Sequence, residues 1–135
     1  MNTDIKVVKN IIEDVFQSIG YGVDYRFYEA YQEAIGVGLR LAGIKYEKRK
    51  IAEITYKGHC VGEYQVDFLV HLAKENVVVH TDYYFDKLKN VSYYDDQIKK
   101  CMQALGAKIG LLVLYGKSSP KNIEQPKLTI RELGL

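Results

Sequence analysis

The sequence predicts an α/β fold, a central mixed sheet flanked by helices, and three observations lead there. Residues 4–42 carry apolar side chains at three- and four-residue steps, in two blocks separated by a glycine break; that is the spacing of amphipathic helices. Residues 44–83 divide into short strand-like segments bounded by turn residues. The run KIGLLVLY at 108–115 is almost continuously apolar, as in a strand covered on both faces. Read in order, the elements run ααβββαβ, an α/β sandwich. The 135 residues suit one compact domain, 1–135, able to bury a core without metal or disulfide staples.

The first helix is expected over 4–18, where Ile5, Val8, Ile11, Ile12, Val15, Phe16 and Ile19 repeat at helical steps, with Asp4 in the first turn and Gly20 beyond the end. After Gly20-Tyr21-Gly22 the spacing resumes through Phe27, Tyr31, Ala34, Ile35, Gly38, Leu41 and Ala42, a second helix ending at Gly43. Gly36 and Gly38 inside it predict close packing against another backbone. Strands are expected at 44–48, 51–57, 60–70 (after a Lys57-Gly58 turn) and 76–83 (after a turn around Lys74, Glu75 and Asn76). Polar residues 86–91 lead to a third helix near 92–105, with the stripe Ile98, Cys101, Met102 and Leu105. The tail is a polar loop holding Pro120 and Pro126, then KLTIREL, a candidate edge strand.

Composition excludes some function classes. Apolar content of 47% and charged content of 27% are ordinary for a soluble globular protein. A net charge of +2 permits nucleic-acid contact without arguing for it. Cys60 and Cys101 form no CxxC pair and no metal-ligand spacing, so they are expected to stay reduced in an intracellular compartment. No apolar run is long enough to span a bilayer and no signal peptide precedes the first helix pattern, so a soluble, membrane-free protein is expected. Twelve tyrosines without a tryptophan suit half-buried surfaces and interfaces.

The chemistry-bearing stretch is 58–82. A long strand reaches Asp67, and the next strand carries His80 and Asp82 two residues apart, on one face by strand period. A metal-dependent phosphodiesterase hairpin has this layout, with an acid on one strand and an acid and a lysine at i and i+2 on its neighbour. In this chain His80 and Asp82 stand at those two places.

The stretches YQEAIGVGLRLAGIKYEKRKIAEITYKGHCVGEYQVDFLV (31–70) and QIKKCMQALGAKIGLLVLYG (97–116) resemble the GxxExxY family of the PD-(D/E)XK nuclease superfamily. The resemblance runs over about 25–70 and 97–116. It implies a restriction-endonuclease-like fold with a divalent-metal site on the hairpin and the preceding helix, and fits bacterial or large-virus origins, with a cytoplasmic or nuclear location. Carried over residue by residue, the motif tyrosine is Tyr31 and the first metal-binding acid is Asp67, both retained. The motif glutamate falls on Tyr28 and the motif glycine on Tyr25. The ExK acid and lysine fall on His80 and Asp82. The glutamine opening the next helix is Gln97, retained, and the tyrosine one turn later is Cys101. The segment between Asp82 and Gln97 is about three residues longer than the family pattern.

These departures bear on the reaction. Imidazole is a poor partner for magnesium, and Asp82 in place of a lysine reverses the charge beside a phosphate. The resemblance therefore implies remnant catalytic positions, Asp67, His80, Asp82 and Gln97, in a nuclease fold without magnesium-dependent cleavage and without a cofactor. Such a domain would serve as a nucleic-acid-binding (DNA or RNA) or protein-interaction module, including as a homodimer. The competing reading is an enzyme, a manganese- or magnesium-dependent nuclease with a rebuilt metal site of Asp67, His80 and Asp82, helped by Glu29 or Asp24; iron or zinc would also suit these ligands. A third is a structural or regulatory dimer without nucleic acid. Lys48, Arg49 and Lys50 are either phosphate contacts or a solvated edge that discourages strand pairing. Tyr83 and Tyr84, with Phe85, Tyr93 and Tyr94, are either base-stacking aromatics or a protein interface. Glu63 is read as an exposed turn residue, His59 and His71 as exposed, Cys101 as core, Tyr31 as packed, and Tyr28 as a plug in the former metal cavity.

Overall fold

The computed structural model describes residues 4–19, 28–85, 91–117 and 127–135. Its elements are α1 (Ile5–Ile19), α2 (Tyr28–Leu41), β1 (Lys45–Tyr56), β2 (His59–His71), β3 (Asn76–Phe85), α3 (Val91–Leu105), β4 (Ile109–Lys117) and β5 (Lys127–Gly134). The strands form one five-stranded sheet in the order β1-β2-β3-β4-β5. Only β3 and β4 run parallel, because α3 carries the chain from one end of β3 back to the start of β4, a connection that parallel strands require. The mixed α/β sandwich expected from the sequence is therefore present, and KLTIREL is the edge strand β5.

Two cores lie on the two faces. Val8, Ile12, Val15 and Phe16 of α1 and Tyr31, Ile35 and Leu39 of α2 pack on Phe68, Val70, Val77, Val79, Leu111, Val113 and Tyr115. On the other face Ile98, Cys101 and Met102 of α3 pack on Val66, Leu69, Val78, Leu112 and Leu114. β4 thus feeds odd-numbered residues to one core and even-numbered ones to the other, which is why its sequence shows no alternation. Tyr31 is buried against Phe16 (stacked, 4.3 Å between ring centroids) and Tyr115 (5.1 Å).

Three local expectations are corrected. Segments 44–48 and 51–57 are one strand, Lys45–Tyr56, which carries a positive φ at Arg49 (55°) and a register shift between Ile54 and Thr55. Gly36 and Gly38 meet side chains, not backbone: a Cβ on Gly38 would lie 2.5 Å from Ile11 Cγ2, and one on Gly36 3.1 Å from Tyr46 Oη. Leu41 faces solvent at 84% exposure, because the helix ends there and its stripe closes at Leu39. The hairpin turn does fall at Lys57 (φ 49°) and Gly58 (φ 80°), both left-handed as a two-residue type I′ turn needs. Among the described residues no helix is long and apolar enough to cross a membrane.

Candidate functional site

The sheet forks. β2 pairs with β3 only from Phe68–Val79 to His71–Asn76. The β1–β2 ladder continues to Tyr56–His59, and the β3–β4 ladder to Phe85–Lys117. Beyond Phe68 and Val79 the β1–β2 hairpin therefore diverges from the β3–β4–β5 limb, and Asp67 is the first residue in the gap. β2 also turns about its own axis here. Val66 and Leu69 both belong to the α3-side core, an odd spacing that strict alternation forbids. Across the ladder, Arg49 with its positive φ sits between the pairs Lys48–Phe68 and Lys50–Val66.

The fork releases the Thr81 amide from the ladder, and Asp67 captures it. The Thr81 N–H donates to Asp67 Oδ2 at 2.6 Å, and the Thr81 hydroxyl donates to the same oxygen. Gln32 Nε2, from α2, donates to Asp67 Oδ1 at 2.8 Å and lies 3.4 Å from Thr81 Oγ1. The amide orientation of Gln32 is fixed by these neighbours, since a carboxylate can only accept. Gln32 and Thr81 are both buried, so three donors from two elements close on one carboxylate away from solvent.

His80 stands on the other side of Asp67. Its Nε2 lies 3.3 Å from Tyr64 Oη, whose hydroxyl donates to Gln97 Oε1 at 3.3 Å. The Tyr64 and His80 rings meet at a tilt, 5.5 Å between centroids. His80 Nδ1 is buried without a hydrogen-bond partner among the described residues and lies 3.9 Å from Asp67 Oδ1. Asp67, His80 and Gln97 are thus brought together, joined by Tyr64. Asp82 is half-buried on β3, but the ligand atoms of Asp67, His80 and Asp82 do not all come within 4.8 Å of one another. Among the described residues the one group that does is Glu53, Cys60 and Glu63, all exposed on the β1–β2 hairpin.

The basic run is paired internally. Lys48 bonds Glu33 and Arg49 lies 3.9 Å from the same carboxylate, while Lys50 reaches Glu47 at 3.0 Å. The Lys48 hydrogen bond holds the Glu33 carboxyl below the usual carboxylate range; Lys50, then His71, do the same for Glu47. His71 is not merely exposed: it bridges Glu47 Oε2 and Asn76 Oδ1, at 2.9 Å each. Glu63 is exposed but not in a turn; it lies within β2 opposite Glu53. His59 and Glu29 are exposed. Cys101 is buried and burial pushes its thiol up to about 11. Tyr83 and Tyr84 lie on β3 opposite Tyr115 and Gly116. Their side chains, with those of Tyr28, Phe85 and Tyr93, lie outside the described residues, as do Asp24, Tyr25, Pro120 and Pro126.

Sequence reasoning missed Gln32, Tyr64 and Thr81. Gln32 carried one faint signal, a polar residue on the buried face of its helix beside Tyr31. Tyr64 carried only its place in the VGEY stretch of the resemblance and Thr81 carried none, since both are ordinary strand residues.

A mixed sheet forked at an acid-bearing strand, with helices on both faces, defines a nuclease-type α/β fold. The chain belongs to the PD-(D/E)XK nuclease superfamily, whose family model matches residues 2–125. A ribulose bisphosphate carboxylase/oxygenase activase, chloroplastic, from Malus domestica is 31% identical over 83 residues, which is 56% of this chain and 18% of that protein. The chain therefore spans less than a fifth of that relative. The crystal structure of SSO0001 superposes with a TM-score of 0.51 at 16% identity, covering 96% of this chain and 76% of that one. At that identity the likeness shows the fold alone.

Proposed function

We propose that the chain acts as one nuclease-fold domain that has given up metal-dependent phosphodiester cleavage and serves as a binding or interaction module. The observation that carries this reading is the state of Asp67. Hydrolysis of a phosphodiester in this superfamily needs carboxylate oxygens free to hold a hard divalent cation. Both oxygens of Asp67 already accept hydrogen bonds, from Gln32, the Thr81 amide and the Thr81 hydroxyl. A histidine and an aspartate occupy the places of the second acid and the lysine, so the residues present do not fit magnesium. Nucleic acid, DNA or RNA, is the inherited candidate ligand. The internal pairing of Lys48, Arg49 and Lys50 supports a weak, salt-sensitive contact at most along that edge. Exposed Ile51, Tyr56 and Val61 on the β1–β2 hairpin support a protein surface, whether a partner or a second copy.

One observation favours the competing enzyme. His80 Nδ1, without a hydrogen-bond partner among the described residues, lies 3.9 Å from Asp67 Oδ1, two ligand atoms that would suit manganese or zinc better than magnesium. A time course of labelled single- and double-stranded DNA and RNA in magnesium and in manganese separates the two readings, with Asp67→Ala as control. No product is expected from the wild type. Cleavage that disappears in Asp67→Ala would overturn the non-cleaving reading and assign the reaction to the fork.

A further inference from the structure

A carboxylate offers about four lone-pair positions, and Asp67 uses three of them on Gln32 and Thr81. The remaining one, on Oδ1, has His80 Nδ1 as its neighbour at 3.9 Å, and that nitrogen is buried with no hydrogen-bond partner among the described residues. Two potential metal ligands therefore already face one another, the imidazole held by Tyr64 and Gln97 behind it. The group that contradicts a cation there is Gln32. Its Nε2 sits 2.8 Å from Oδ1 and turns the positive end of an amide dipole into the space that a cation would share. Thr81 cannot be the deciding group, since its two bonds go to the other oxygen.

We propose that Gln32 is the side chain that closes the Asp67–His80 pair to divalent metal, so that exchanging its amide for a carboxylate turns the fork into a transition-metal site. The amide and a carboxylate have nearly the same shape, so a carboxylate at this position reaches Asp67 Oδ1 without a new backbone path, and His80 Nδ1 lies beside that same oxygen. Without a cation, two carboxylates at hydrogen-bond distance repel in a buried place. With one, two oxygens and an imidazole nitrogen form a mixed ligand set suited to manganese, cobalt or zinc. This inference rests on the non-cleaving reading but is tested by binding, not turnover, so cleavage by the wild type and failure of the metal test are separate results.

The experiment is isothermal titration of the full chain with manganese and with zinc, with thermal unfolding recorded at each metal concentration. All proteins carry Cys60→Ser, which takes the thiol out of the exposed Glu53, Cys60 and Glu63 group. In this background Gln32→Glu is expected to bind at least about tenfold more tightly than its Gln32 parent and to unfold at a higher temperature with metal than without. Adding Asp67→Asn or His80→Ala should abolish the gain. Equal affinity of the two proteins, or a gain that survives Asp67→Asn, overturns the proposal. So does tight binding by the parent that depends on Asp67. If Gln32→Glu does not fold, Gln32→Ala takes its place: it removes the closing donor without adding charge and should bind zinc more tightly than the parent, and equality again overturns the assignment.

Discussion

At Asp67 a carboxylate is held by neutral donors from one helix and one strand, and the strength of that arrangement can be measured. Hydrogen bonds to a charged acceptor are worth about 1.5–3 kcal/mol each, and the site is buried, so little is lost to screening. Thr81→Val keeps the shape of the side chain and removes one donor to Oδ2. It should cost about 1–3 kcal/mol, read as a lower urea midpoint with an unchanged slope. Gln32→Ala should cost a similar amount. The double variant should lose less than the sum, because both residues serve the same carboxylate; strict additivity would show that they act independently. The two cysteines give a second test at this scale. Cys60 is exposed and Cys101 buried, so one thiol should react with a maleimide at neutral pH and the second only in denaturant. Burial raises the Cys101 thiol from its ordinary value of 9.0 to about 11. The folded state therefore keeps a proton that the unfolded chain releases first. Its contribution to stability is complete below about pH 9 and is lost as pH rises towards 11, and Cys101→Ala should flatten that part of the stability profile.

Among the elements, α1 and α2 meet at a point with no spare room. Any side chain at position 38 must push into Ile11, since a Cβ would lie 2.5 Å from its Cγ2. Gly38→Ala raises intrinsic helix propensity by about 1 kcal/mol, yet overpacking costs about 1–3 kcal/mol. The net effect should be destabilising, and adding Ile11→Ala, which removes the struck methyl, should recover part of it in thermal unfolding. A stabilised Gly38→Ala would show that α1 moves aside freely. β1 teaches a related lesson. The sequence pattern breaks at Arg49 and Lys50, and the strand does not end there; the backbone deforms at Arg49 and continues. Pairing with β2 on either side of Arg49 holds the strand through it. The same irregularity lies opposite Asp67, so it belongs to the fork as well as to the edge.

At the scale of the molecule's surface, the basic run of β1 is held in ion pairs with neighbouring carboxylates. Glu33 holds Lys48 and lies near Arg49, and Glu47 holds Lys50 and His71. Both carboxyls are depressed by these partners. Their contribution is therefore present above the ordinary carboxylate range and is lost as pH falls through their lowered folded-state values. Both are solvent-exposed pairs, where stability effects are small, but the effect on polyanion binding is not bound by that limit. Glu33→Gln with Glu47→Gln unmasks the cations of the basic run. The double variant should elute from heparin at higher salt than the wild type and show a steeper salt dependence. Unchanged elution would show that this edge does not meet polyanions even when its cations are free.

Much of the architecture was legible in one dimension because it rests on periodicity. The helical steps of α1, the double-faced run of β4 and the left-handed turn at Lys57 and Gly58 are dictated by local chemistry and by burial, which leave their mark within a few residues. The resemblance carried by 31–70 and 97–116 led to the superfamily, and it marked Asp67, His80, Asp82 and Gln97 as the positions to watch. What those residues do was decided only in three dimensions. Gln32 lies 35 residues before Asp67, and no pattern in α2 announces that its one buried amide ends at that carboxylate. Thr81 joins the cluster because the sheet forks and frees its N–H, an event set by the twist of β2 and the irregularity at Arg49 together. Tyr64 reaches His80 and Gln97 because β2, β3 and α3 converge on one side of the fork. Sequence fixes which groups are available by type and spacing; only the packing of separate elements sets which donor meets which acceptor, because hydrogen bonds act over about 3 Å while the chain between partners is free to run anywhere.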